Sequence, residues 1–247
     1  MSRRIVKETV VHLPADAVWR ALTEADELRR WFPVDARVEP GVGGSIWLSW
    51  GAGAEGEAPI TGWDPPRHLQ WTEARGPVKL AIDFHIEAQA GGTTRVRLVQ
   101  SGFGDGPDWD DEFHMLSGGW SYFVAHLHWY LERHHGVPRD LIAFRDEVAL
   151  SRLEAFERLR RSLAAIETVP LVESLQTQQL GVRVPDLNDA LLFLEMEPHP
   201  SGCRAGFWLS TYGLPPAALD AAHERFDRLY HSALQPSGGG TKKEAMG

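Results

Sequence analysis

The chain has 247 residues, 43% of them hydrophobic and 24% charged, the profile of a globular protein longer than one typical domain. Its formal net charge of −9 argues against a nucleic-acid or anionic-membrane partner, because such surfaces need a concentrated excess of Lys and Arg. The single cysteine, Cys203, allows no intramolecular disulfide; with no apolar stretch after Met1 and no run of 18 apolar residues, the expectation is a cytoplasmic protein that spans no membrane.

Residues 3–12 alternate as a strand. Pro14 opens a helix, and Val18, Trp19, Leu22, Leu28, Trp31 and Phe32 recur at near-helical spacing. A break near Ala25 divides this stretch in two, and Pro33 ends it. From Val38 to Gln100 the pattern is one of short alternating runs, with strands predicted over 36–39, 45–50, 58–64, 68–73, 78–88 and 93–100. The turns between them carry Gly41 to Gly44, Gly51 to Gly56, Pro65-Pro66, Gly76-Pro77 and Gly91-Gly92, the signature of an antiparallel meander.

Residues 108–135 then show a 3.6-residue period through Phe113, Leu116, Trp120, Phe123, Leu127, Tyr130 and Leu131. Asp108, Asp110, Asp111 and Glu112 suit the start of that helix and Arg133, His134 and His135 its end, while Gly136 and Pro138 stop it. Gly118-Gly119 in its middle costs roughly 1 kcal/mol per residue relative to Ala, which marks close backbone approach or local bending. Beyond it, Leu141, Phe144, Val148, Leu153, Phe156, Leu159 and Leu163 predict a second helical stretch over 140–166. Strands follow over 180–184, 190–197 and 203–212, and Pro215 opens a last helix to about Leu234 with Leu219, His223, Phe226 and Tyr230 on one face. Pro236 and the glycines after it begin a tail, 236–247, expected to be disordered.

The predicted fold class is α+β: a helix-grip domain over 1–136, in which a curved antiparallel sheet closes around its long C-terminal helix, plus a smaller α+β segment over 140–235. That segment reads as a truncated second copy of the same plan, a lid or a dimerisation element; a homodimer is therefore among the expectations.

Several motifs in order support the first domain: Pro14-Ala-Asp-Ala-Val-Trp-Arg-Ala-Leu-Thr, the Trp31-Phe32 pair, Gly43-Gly44 before an aromatic strand, and Gly62-Trp63-Asp64-Pro65-Pro66-Arg67-His68-Leu69 with Trp71 after it. Gly91-Gly92-Thr93-Thr94-Arg95-Val96, Gln100-Ser101-Gly102-Phe103 and Gly119-Trp120 complete the set. Over residues 1–135 this order resembles the SRPBCC (START-like) superfamily, and within it the family of homologues of the activator of the heat-shock-protein-90 ATPase. The resemblance implies a helix-grip fold and, for many bacterial members, a small-ligand pocket. Two departures stand out. Val99-Gln100 occupies the place of a more polar, His-like pair, and residues 140–247 have no counterpart in the basic family domain.

A helix standing off a curved sheet leaves a concave, mostly apolar space, and ten Trp residues suit an aromatic-lined one. The candidate ligand-binding residues are Trp47, Trp71, Phe84, Phe113, Leu116, Trp120, Phe123 and Leu127. The strand residues among them depend on facing, which a one-residue slip reverses. The leading expectation is non-enzymatic binding of a hydrophobic or aromatic small molecule. A chaperone-partner module and a cyclase- or hydrolase-like enzyme are the alternatives, the latter drawing on Asp83, His85, Glu87, Arg95 and Arg97 if that set faces inward. No catalytic set, cofactor or metal site is expected: no phosphate loop, dinucleotide fingerprint or nucleophile elbow occurs, and Gly41-Val-Gly-Gly precedes a strand. His114, His126, His128, His134 and His135 contain no i, i+4 pair and read as capping and surface residues.

Overall fold

A computed structural model describes residues 3–51, 53–75 and 78–235. The predicted tail and the Gly76-Pro77 turn lie outside the described residues. The first unit runs β1 (Arg4–Val11), α1 (Ala15–Thr23), α2 (Ala25–Leu28), β2 (Asp35–Val38), β3 (Ser45–Ser49), β4 (Glu55–Asp64), β5 (His68–Arg75), β6 (Val78–Ala88), β7 (Thr94–Ser101) and α3 (Asp110–Trp129). Its seven strands pair antiparallel in the order β1-β7-β6-β5-β4-β3-β2. Only the β1–β7 pairing is non-local in sequence; β2 to β7 pair in chain order, and the described connections between them are short, as the glycine and proline clusters there predict.

Alternation sets the inner face. Ile46 and Leu48, Leu69 and Trp71, Ile82, Phe84 and Ile86, and Val96 and Leu98 are all buried and join one core with α3. Helix α3 continues through a wider π-type turn over Tyr130–His134, and Gly136, with a φ of 80°, ends it.

The second unit holds β8 (Arg139–Val148), α4 (Arg152–Ser162), β9 (Val169–Ser174), β10 (Gln179–Val184), β11 (Ala190–His199), β12 (Gly202–Tyr212) and α5 (Pro216–Leu234), with sheet order β8-β12-β11-β10-β9. The helix expected over 140–166 is corrected here: its first half is strand β8, paired with β12 from Arg139↔Tyr212 to Val148↔Cys203. Leu141, Phe144 and Val148 satisfy a helical spacing. Ile142, Phe144 and Val148 equally satisfy a period of two, and their packing against Phe207 and α5 decides the outcome. Ser151 caps the true helix by accepting from the Glu154 N–H at 3.2 Å. Strand β9, with Pro170 inside it, lies at the sheet edge and carries no sequence pattern strong enough to predict.

Both faces of the second sheet are covered. Leu192, Leu194, Met196, Ala205, Phe207 and Leu209 join a core with α4 and α5. The alternate residues turn toward α3: Phe193 stacks on Tyr122 at 4.3 Å between centroids. The layers are therefore sheet, α3, sheet and the α4–α5 pair. Gly118 shows why α3 carries small residues where the second unit meets it, since a Cβ there would fall 1.9 Å from Gln179 Oε1. The close approach expected of Gly118-Gly119 is made by this unit.

Tyr212 ties the units together. Its hydroxyl donates to the Arg30 carbonyl at 2.5 Å and meets His126 Nε2 at 2.7 Å. Because the hydroxyl proton goes to Arg30, His126 must donate through Nε2, and burial holds its pKa well below the usual imidazole value. His134 stacks on the same ring at 4.3 Å and is also buried, so the expectation of surface histidines fails for these two. Tyr212→Phe leaves two buried polar groups without this partner. Its expected loss is about 2 kcal/mol in urea unfolding, where a fully exposed hydroxyl would give none.

Candidate functional site

Between α3, the inner face of the first sheet and strands β10 and β11 lies a cavity of about 250 Å³. Its apolar wall comes from Phe32, Leu48, Trp50, Trp71, Ile82, Leu116, Trp120 and Phe123. Phe32 is the hub: its ring lies 5.2 Å from Trp50, 5.3 Å from Trp120 and 4.7 Å from Phe123. It is placed there by the short α2 turn and by Trp31, whose Nε1 donates to the Ala21 carbonyl at 2.8 Å. Toward β3, β4 and β5 the cavity continues into an outer groove of about 530 Å³ that shares Leu48, Trp50, Trp71 and Glu73 with it.

Few polar groups face this space. Gln100, 1% exposed, accepts from Trp120 Nε1 at 2.8 Å. Gln179 donates to the Met115 carbonyl at 3.2 Å and accepts from Thr177 Oγ1 at 2.8 Å. Trp71 is 2% exposed, and its Nε1 is a buried donor with no partner. An unpaired buried donor is rare and costs free energy, and this one is closed off from the cavity, which the ring borders through its other atoms.

Glu195 of β11 is the group with the most altered chemistry. It interrupts the apolar run Leu191–Met196 on the face turned toward α3, and accepts from Trp208 Nε1 at 3.1 Å. Burial, assisted by the nearby negative charge of Glu197, pushes its pKa up to about 7, while Trp208 and Arg145 oppose the rise. The carboxyl is deep yet not sealed, since it borders both the main cavity and a small one of about 20 Å³ beside Arg139, Tyr122 and His126. That small space is roughly the room of one water molecule. Burial also lowers the pKa of Arg139, whose guanidinium donates to the Pro33 carbonyl.

The predicted lining set divides. Trp71, Leu116, Trp120 and Phe123 come together on the cavity wall. Phe84 lies one layer behind, stacked on Trp71 at 5.6 Å. Leu127 is fully buried in the core, and Phe113 packs against Phe103 at 5.1 Å near the start of α3. Trp47 is a correction: Ile46 and Leu48 take the inner face, so Trp47 turns outward, where Arg37 lies 4.0 Å over its ring. The inward reading of Asp83, His85, Glu87, Arg95 and Arg97 is corrected for the same reason, since Ile82, Phe84, Ile86, Val96 and Leu98 occupy that face and Glu87 pairs with Arg95 outside. Phe32, Trp50, Gln179 and Glu195 were not predicted. A charged residue in the middle of β11's apolar run was the available signal for the last.

A curved antiparallel sheet gripping one long helix, with a cavity between them, is the helix-grip α+β architecture. Residues 12–132, just under half of the chain, match the family described as Activator of Hsp90 ATPase homolog 1-like protein. This segment belongs to that family. Among solved structures, the protein MLL2253 from Mesorhizobium loti is 26% identical with a TM-score of 0.47, over 53% of this chain and 98% of its own. The Aha1 dimer from Colwellia psychrerythraea is 21% identical with a TM-score of 0.47, over 54% and 99%. DynU16, from the dynemicin biosynthetic locus, is 17% identical with a TM-score of 0.45, over 94% of this chain and 96% of its own. A comparison with curated proteins finds no match. Among the described residues, no helix is long and apolar enough to cross a membrane.

Proposed function

We propose that the protein binds an apolar or aromatic small molecule, held between α3 and the first sheet with the second unit as its far wall. The aromatic cavity between α3 and the first sheet carries this reading. Its rings supply contact area, and the Gln100 and Gln179 amides supply orientation. At about 250 Å³ the inner space is small, so a larger guest would extend into the groove between β3, β4 and β5. The reading as a chaperone-partner module has less support: among the described residues, Val6 and Val10 share β1, while Val34, Val42, Leu153 and Leu175 lie on separate segments, so the exposed large hydrophobics amount to a pair and scattered single residues.

The test is a panel of fatty acids, phenols and polycyclic aromatics screened by melting temperature and tryptophan fluorescence. A ligand raises the melting point by mass action; no response across the panel overturns the proposal. Trp71→Phe refines it. The substitution removes a donor that has no partner, but it also shortens a buried ring stacked on Phe84, so it should cost about 1–2 kcal/mol of stability. Affinity for a responding ligand should fall roughly fivefold, the worth of the lost ring contact on the cavity wall.

A second reading is favoured by Glu195. A carboxyl with a pKa near 7 in an apolar cavity can give or take a proton at neutral pH, as a cyclase- or hydrolase-like reaction requires. Turnover of a bound ligand that disappears in Glu195→Gln while binding persists would establish it.

A further inference from the structure

On the opposite face of the first sheet, away from the cavity, His68, Asp83 and His85 converge. Since Leu69, Trp71, Ile82, Phe84 and Ile86 turn into the core, the pleat forces these three outward. His68 and His85 are direct cross-strand partners on β5 and β6, with rings 4.9 Å apart and 21° from parallel. Asp83 precedes His85 by two residues and shares its face. His68 Nε2 lies 3.0 Å from Asp83 Oδ1, and one donor atom from each of the three residues lies within 4.8 Å of the others.

We propose that His68, Asp83 and His85 form a binding site for one divalent transition-metal ion, zinc being the type. Two imidazole nitrogens and a carboxylate oxygen are a borderline donor set that suits zinc or copper over calcium or magnesium. Donors shared by one tetrahedral zinc stand about 3.3 Å apart, given metal–ligand bonds of about 2.0–2.1 Å. The pair at 3.0 Å already meets this spacing, and the third donor needs only a side-chain rotation. His85 is exposed and free to make it, and an ion can enter from solvent.

The surroundings support the site. Gln70 Nε2 donates to Asp83 Oδ1 at 2.6 Å, an outer contact of the kind that orients a ligating carboxylate. Gly62 on β4 leaves the room that His68 occupies, since a Cβ there would fall 2.8 Å from the ring's Cε1. Arg97 is opposite His85 on β7 and Glu8 is opposite Arg97 on β1, so an ion bound here would have one positive and one negative side chain on the neighbouring strands. Three protein donors would leave the remaining coordination positions to water.

The experiment is calorimetric titration of zinc into the full chain, free of any affinity tag and pre-treated with chelator, with cobalt absorption as the spectroscopic check. The expected result is about one ion per chain, with His68→Gln and His85→Gln each weakening binding by at least about tenfold. His199→Gln, at the separate contact with Glu147, should change nothing. Substoichiometric binding, equal affinity in His85→Gln, or an equal loss in His199→Gln each overturns the proposal. Because His85 is exposed, its substitution leaves the fold intact, and circular dichroism of the variant checks this.

Discussion

Replacing Glu195 by Gln is expected to stabilise the protein by up to about 3 kcal/mol at pH 8 and to change nothing at pH 4. The folded carboxyl has a pKa of about 7 against an ordinary value of 4.5. Between those values the folded chain holds a proton that the unfolded chain has released. Stability therefore falls as pH rises from 4.5 to 7, and stays lowered above it. The Gln variant keeps an acceptor for Trp208 Nε1 and has no charge to desolvate, so it escapes this loss. Urea unfolding of both proteins across that range isolates the effect, because every other titrating group is common to the two. The full figure is an upper bound, since the carboxyl borders a cavity that water can reach. Parallel stability curves would show that Glu195 is ordinary and would remove the acid–base reading of the site with it.

The strands and the long helix of the first unit were legible because each element repeats one signal many times. β6 alternates over eleven residues, and α3 keeps its stripe for five turns, so tertiary context had nothing to overturn. Residues 141–148 show the opposite case. Their apolar positions fit both periods, and only the partner strand β12, some sixty residues later, selects one. Trp47 failed for another reason: β3 puts Ile46 and Leu48 on one face and Trp47 between two serines on the other, so the size of one ring misled where the alternation and Arg37 across the strand were the better guides. The site was half legible. Trp71, Trp120 and Phe123 follow from the pattern of the first unit. Glu195 and Gln179 do not, because the second unit brings them to the cavity, and nothing local to β10 or β11 says that one face meets α3. The buried His126 and His134 were misread likewise, since the partner that buries them is Tyr212.

Trp120→Ala tests the helix-grip cavity most directly, and its expected cost is about 3–5 kcal/mol in chemical unfolding. The side chain is 6% exposed, stacks on Phe32 at 5.3 Å, meets Phe84 at 6.0 Å edge-on, and donates to Gln100. Truncation removes those ring contacts together and takes the donor from a buried amide. Two physical terms pull the cost toward the lower end of the range. The indole already borders empty space, so fewer contacts are lost than in a closed core, and water entering the enlarged cavity can serve Gln100. The same truncation should alter binding in a direction that stability alone would not produce. If the aromatic wall sets the size of the guest, the variant loses affinity for a small aromatic ligand and gains relative affinity for a bulkier one, so the ratio of the two dissociation constants inverts. A variant that is destabilised but keeps the wild-type ratio would place the guest elsewhere, in the groove between β3, β4 and β5.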